Sequence, residues 1–213
     1  MSICTISHFQ KSNELYIPLS VGDPVSNTTE ASADNVGYLT NLIAEVEKNI
    51  LLNALGLATY NTLQLAIEDD FTNPLYASYK KLVEGEEYDG KIWVGLEYDY
   101  SLIAYKVFEE FTTRTAGRLS AIGATSVNPQ GAQLISPKYI IANANAKFLK
   151  QYQGGYLSSP IVYEDGLFID WYGTQDEVNV SLYKYLVDKK ANFVDWSEEK
   201  FRPSQDEKNS FGI

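Results

Sequence analysis

The residues that could do chemistry in this chain are few and poorly grouped. His8 is the single histidine and Cys4 the single cysteine. A Ser-His-Asp or Cys-His pair would have to use His8, with Cys4 four residues earlier. In an extended segment, residues four apart stand too far from each other for direct contact without a bend. One Cys and one His also fall short of the four ligands a zinc site needs. His8 is therefore expected to be a surface or interface residue. Gly154-Gly155 is followed by Tyr-Leu-Ser-Ser-Pro and lacks the Lys-Ser/Thr ending of a phosphate-binding loop, so it reads as a helix stop. Acidic pairs stand at Asp69-Asp70, Glu86-Glu87, Glu109-Glu110 and Glu198-Glu199. Such pairs are the raw material of a glycosidase or a divalent-cation site. Neighbours in sequence point in different directions, however, and an acidic chain offers many by chance. The expectation is no catalytic residue, no metal site and no cofactor.

Composition narrows the class of partner. The 213 residues suit one decorated domain or two small ones. The net charge of −11 sets the chain against nucleic-acid binding through a basic groove, because phosphate would be repelled. Guiding DNA without holding it remains compatible with that charge. Sixteen tyrosines, against nine Phe and three Trp, suit surfaces that are first exposed and later buried on a partner, or the edge of a core. The N-terminus lacks the basic and apolar regions of a signal peptide, and no run of 18 apolar residues suggests a membrane span.

The elements that would carry any site read as mainly helical. Leu15, Ile17, Leu19 and Val21 alternate with Tyr16, Pro18 and Ser20, the period of an edge strand or extended arm; residues 1–32 are taken as an N-terminal arm. Val36, Leu39, Ile43, Val46 and Ile50 form one helical stripe, capped by Ser32 or Asp34 and ended by Gly56 in a left-handed turn. Further helices are expected over 57–67, 74–83 (with Pro74 in the first turn), 95–114 and 138–153. Residues 84–90 read as a turn. Leu96, Tyr100, Ile103, Val107 and Phe111 form the inner stripe of the 95–114 helix. Thr115–Ser136 is a long, small-residue, Gly-rich loop, a kind of connection that is usually functional or disordered. Residues 33–155 make the helical domain.

Residues 156–196 follow as a β-hairpin, with Glu164-Asp165-Gly166 as its tight turn, and a short helix over 180–189. The tail 197–213 is charged and polar, with isolated Phe201, Phe211 and Ile213, a composition that does not pack on itself. Phe201, Asn209, Phe211, Gly212 and Ile213 are therefore the candidate docking residues. The fold class expected is mainly α: a small helical bundle with a β-hairpin and extended N- and C-terminal arms.

Three runs carry a family resemblance: NILLNALGLATYNTL, YKKLVEGEEYDGKIWVGLEYDYSLIAYKVFEEF and TTRTAGRL, together with the ending NSFGI. They resemble the head–tail connector proteins of tailed phages infecting Bacteroidetes, including crAss-like phages, over about Asn49–Gln153. The resemblance rests on helices and glycine-punctuated turns and covers neither the 156–172 segment nor the N-terminus. It implies a structural virion protein of the neck. Such a subunit forms a ring, of twelve copies in these connectors, that joins the portal to neighbouring neck or tail proteins. DNA passes through it at ejection without specific binding. Assembly would take place in the host cytoplasm. By the same resemblance, the 115–136 loop, with Arg118, Ile122, Val127 and Gln130, becomes the candidate for subunit contacts or the channel wall. The alternatives are a module outside the neck, such as a capsid-decorating protein, and a carboxylate-based hydrolase.

Overall fold

A computed structural model of the chain describes residues 2–11, 14–17, 29–116, 137–154 and 179–204. The protein is mainly helical, with a small antiparallel hairpin. In chain order the elements are α1 (Thr29–Glu68), α2 (Ala77–Glu84), β1 (Glu86–Tyr88), β2 (Lys91–Trp93), α3 (Leu102–Ala116), α4 (Pro137–Gln153) and α5 (Leu182–Asp188). They form two compact units. One comprises Asn49–Gly95 and the chain from Leu149 onward; the other comprises Ser2–Lys48 and Leu96–Phe148. Each unit is thus discontinuous in sequence, with divisions inside α1, between β2 and α3, and inside α4.

In the unit that holds the N-terminus, the expected stripe of α1 buries Leu39, Ile43 and Val46, with Leu42 beside them. Val36 does not join them and stays 37% exposed, because the stripe runs out one turn before the packed part of the helix. α3 supplies Leu102, Ile103, Ala104, Tyr105 and Val107 to the same interior. The two helices also meet at their flanks. The Tyr38 and Phe111 rings lie 6.2 Å apart, and Arg114 donates to both oxygens of Glu45 at 3.0 and 3.3 Å.

α3 begins at Leu102, seven residues later than its apolar spacing suggests. Leu96 and Tyr100 precede it, Tyr100 in a turn closed by Ser101 N–H to the Tyr98 carbonyl. Ser101 then caps the helix, its Oγ accepting from Ala104 N–H at 3.3 Å, as a small hydroxyl at an N-terminus does. Leu96 is buried all the same, so its apolar character reports burial and not helix.

The N-terminal segment is not a detached arm where it is described. Ile6–Phe9 form a 3-10 turn, and Ile3, Cys4, Phe9, Leu15 and Ile17 are buried. The alternation of Leu15, Tyr16 and Ile17 is present as inside, outside, inside; Leu19 and Val21 lie outside the described residues. What ties the segment down is Glu47 of α1. Its buried carboxylate accepts from Ser2 Oγ at 2.7 Å, Ile3 N–H at 3.0 and 3.1 Å, and Cys4 N–H at 2.9 Å. A buried carboxylate needs such partners, because burying a charge without them is costly.

In the other unit, α1 is interrupted at Gly56, whose φ of 72° and ψ of 167° are non-helical. The glycine expected to end one helix and open another does so without parting them. Only glycine adopts this backbone freely. A helix break strips partners from the carbonyls of the preceding turn, and the C-terminal chain serves that turn: Arg202 N–H donates to the Asn53 carbonyl at 2.8 Å and Trp196 Nε1 to that of Ala54 at 2.9 Å. α2 follows a 3-10 turn at Pro74–Tyr76 capped by Asn73, and α4 stops at Gly154 (φ 89°). The β1–β2 hairpin lies where only a turn was expected. Asp89 and Gly90 both have positive φ, 48° and 73°, the two-residue turn that Asp-Gly favours. The hairpin expected at 156–172 lies outside the described residues.

Residues 36–68 are long and apolar enough, on length and composition alone, to cross a bilayer. Leu39, Leu42, Ile43, Leu51, Leu55 and Leu63 of this stretch are buried within the protein, whereas Leu57 and Leu65 are exposed.

These assignments separate two positions of one stripe. Ile43→Ala should lower unfolding free energy by about 2–5 kcal/mol, and Val36→Ala by no more than about 0.5 kcal/mol, measured by urea denaturation. Equal losses would show that the stripe is packed along its whole length.

Candidate functional site

Phe201 was expected to dock on a neighbour. It is instead 7% exposed within its own chain, and this corrects its assignment as a partner-binding residue. Its ring stacks on Tyr152 of α4 (4.8 Å, 29°) and packs against Tyr183 of α5 (4.8 Å, 57°). The backbone around it is held as well: Tyr152 Oη donates to the Arg202 carbonyl at 2.8 Å, and Ser204 N–H to Gln153 Oε1 at 2.8 Å. A polar stretch with isolated aromatics cannot form a core alone, yet each aromatic can fill a slot made by other elements. Asn209, Phe211, Gly212 and Ile213 lie outside the described residues, as do Arg118, Ile122, Val127 and Gln130 of the loop.

His8 is buried, not a surface residue. Its Nε2 lies 3.2 Å from the Glu97 carbonyl, and its Nδ1 lies 3.2 Å from Thr5 N–H. Nδ1 also lies 3.1 Å from the Thr5 carbonyl and 3.2 Å from Thr5 Oγ1, so the ring is held through both of its nitrogens. Burial, reinforced by the neighbouring Glu47 charge, pushes the Cys4 thiol far up from its ordinary range, and a protonated buried thiol is a poor nucleophile. Neither residue presents a reactive atom.

The acidic side chains are engaged in turns and ion pairs, and Lys106 reaches both Glu109 and Glu110, at 2.7 and 3.8 Å. Glu87 points outward while Glu86 turns inward. Asp69 accepts from Thr72 Oγ1 and Asn73 N–H, both at 2.8 Å, and so closes the turn after α1. Arg114 bonds Glu110. Lys190 bonds Glu198 at 3.1 Å. Among the described residues, no three His, Cys, Asp or Glu side chains gather around a point that could hold a metal.

The densest polar constellation is one that sequence reasoning missed, where the hairpin meets α5. Glu86 accepts from Lys81 at 2.9 Å, Tyr185 Oη at 3.0 Å and Lys189 at 3.3 Å. Asp188 accepts from Lys91 at 2.8 Å, Tyr88 Oη at 3.1 Å and Lys184. The Lys189 ammonium also sits 4.2 Å from the centre of the Tyr88 ring, within cation–π range. Beneath these charges Trp93 stacks on Tyr185 at 5.2 Å and donates Nε1–H to the Leu82 carbonyl at 2.9 Å.

Burial raises the affinity of both carboxylates for a proton. The hydrogen bonds and charges of the lysines, with Tyr185 on Glu86, outweigh it and hold both below the usual range. Burial beside Glu86 pushes the Tyr185 hydroxyl far up. These contacts, four lysine ammoniums around two carboxylates, pin the hairpin to α5. The signal available in the sequence was Asp89-Gly90; the partners Asp188 and Lys189 lie about a hundred residues away and left none.

Comparison with known proteins supplies no relative. No family model, no curated protein and no solved structure matches the chain.

Two expectations follow. Phe201→Ala should destabilise the isolated protein by about 3–5 kcal/mol, read by thermal or urea melting; an unchanged melt would return Phe201 to the role of an external anchor. The depressed Glu86 and Asp188 make folding acid-sensitive. Their contribution is complete above their unfolded values of about 4.3 and 3.9 and is lost as pH falls toward the lower folded values. Stability measured from pH 6 to pH 3 should fall less steeply in Glu86→Gln/Asp188→Asn than in the parent, and identical slopes would contradict the ion-pair account.

Proposed function

We propose that the chain is a structural subunit of the head-to-tail connector ring of a tailed phage, standing between the portal and the neck or tail proteins and letting DNA pass. The observation that carries this reading is the resemblance of the central runs. They fall on α1 either side of Gly56, then on α2, the hairpin and α3, the mainly helical arrangement that the resemblance implies. The chain's acidity adds physical support, since a surface with net charge −11 does not grip phosphates moving past it.

In this reading the chain does no chemistry. Its subunits meet head to tail through two different patches, and rotation closes the ring. The segment 115–136, small and uncharged apart from Arg118, is the proposed contact or channel-wall segment. The described segments Ile3–Lys11, Glu14–Ile17 and Trp196–Ser204 belong to the subunit body, so they do not supply the linking arms.

Electron microscopy of virions carrying a small tag on the exposed Asp89 turn tests this proposal. The tag should appear as a collar at the single vertex between head and tail, and the purified ring should enclose a channel that admits duplex DNA. Tags spread over the capsid faces would instead identify a decorating protein.

A further inference from the structure

In the described helices Thr40, Thr62 and Thr115 return their hydroxyls to the carbonyl four residues earlier: to Val36 at 2.8 Å, to Ala58 at 3.2 Å and to Phe111 at 2.7 Å. This is the usual outlet for a hydroxyl inside a helix. Thr59 does not follow it. It is fully buried, and its Oγ1 meets no partner. The carbonyl four residues back is that of Leu55, on the far side of Gly56, where φ 72° and ψ 167° turn the chain out of the helix. The break thus denies Thr59 the acceptor that an unbroken helix would give it. An unpaired buried hydroxyl is costly, and the cost falls on the broken form of α1 alone.

The C-terminal chain is what occupies the break. In a continuous helix the Asn53 and Ala54 carbonyls accept from the amides of Leu57 and Ala58, four residues on. Here the Gly56 ψ of 167°, against about −42° in a helix, turns the chain aside. The two carbonyls accept from Arg202 N–H at 2.8 Å and Trp196 Nε1–H at 2.9 Å. The segment that carries these donors is a compact turn. Lys200 N–H bonds the Ser197 carbonyl at 2.9 Å, and Phe201 N–H that of Glu198 at 3.1 Å. The Lys200 methylenes lie over Gly56, so close that a β-carbon there would meet them at 3.2 Å. Phe201 seats the turn against Tyr152 and Tyr183.

We propose that α1 is a two-state element: the 196–202 turn is a latch that holds it broken at Gly56, and withdrawal of that turn lets residues 53–59 close into continuous helix, with the Thr59 hydroxyl on the Leu55 carbonyl. The Asn53 and Ala54 carbonyls have donors in both states. The continuous state adds the Thr59 bond and releases Gly56 from a conformation almost confined to glycine. The latched state adds the burial of Trp196 and Phe201, which are 3% and 7% exposed. Opposing terms of this kind make two packings of one element competitive. Whatever draws the turn away then redirects residues 57–68. The inference does not depend on the connector reading, because it concerns the subunit by itself.

Hydrogen exchange followed by NMR in the full-length protein tests it. Alanine favours the helix and tolerates a φ of 72° poorly, so Gly56→Ala should shift α1 to its continuous state. The Arg202 amide and the Trp196 indole N–H should then exchange about tenfold faster than in the parent, while the Leu57 and Ala58 amides slow by a similar factor. Trp196→Phe removes one latch donor and keeps an aromatic ring. It should give the same pattern in weaker form, and it decides the question if Gly56→Ala does not fold. Faster exchange at Arg202 with no slowing at Leu57 and Ala58, in a variant that is otherwise folded, would overturn the proposal. Thr59→Val supplies an independent sign. It removes the unpaired hydroxyl from the latched state, so it should raise the parent's melting temperature by about 2–4 °C, and in Gly56→Ala it should return the Leu57 and Ala58 rates toward the parent's. A lower melting temperature in Thr59→Val would show that the hydroxyl is paired in the latched state, a buried water included, and would overturn the proposal as well.

Discussion

α1 cannot satisfy its own polar groups, and much of the described structure is arranged around that constraint. Its buried Glu47 carboxylate needs donors that no helix can offer, and the N-terminal backbone provides them through Ile3 and Cys4, with the Ser2 hydroxyl. Its break at Gly56 leaves the preceding turn in need of donors, and the C-terminal chain provides them through Trp196 and Arg202. Buried polar atoms in proteins are nearly always paired. Among the described residues one such atom is not: the Thr59 hydroxyl, buried three residues after the break, has no partner.

The same constraint explains why the described terminal segments, Ser2–Lys11 and Trp196–Ser204, are part of the folded body. Sequence composition made both ends look detached, because their apolar residues are isolated from one another. Isolation along the chain says nothing about slots formed by distant elements. Phe201 enters a slot between Tyr152 and Tyr183, and Leu15 and Ile17 are buried in the unit that contains α3. Polar pairing fixes where each end lies, and the aromatic and aliphatic side chains then contribute the burial energy.

Periodic and local signals were readable from sequence. The stripe through Leu39, Ile43 and Val46, the Pro74 start, the Gly154 stop and the helix beginning after Ser181 all depend on neighbours within a few residues. The misread features depend on distant ones. The β1–β2 strands are three residues long, too short to show alternation, and they are held by Asp188 of α5 and by Lys189 just after it. The start of α3 was set too early because Leu96 is buried ahead of it at a spacing that mimics a helix. Val36 matched the stripe but lies beyond the packing that would cover it. The charged constellation around Glu86 and Asp188 was invisible for the same reason: its members meet only in three dimensions.

The central claim, that polar pairing with α1 folds the segments at Ser2–Cys4 and Trp196–Arg202 into the subunit, is most directly tested by amide hydrogen exchange on the isolated, full-length protein. The amides of Ile3, Cys4 and Arg202 donate to Glu47 and Asn53, so the account predicts protection close to that of the α1 interior. Exchange at those three amides as fast as in an unfolded peptide, with α1 still protected, would contradict it.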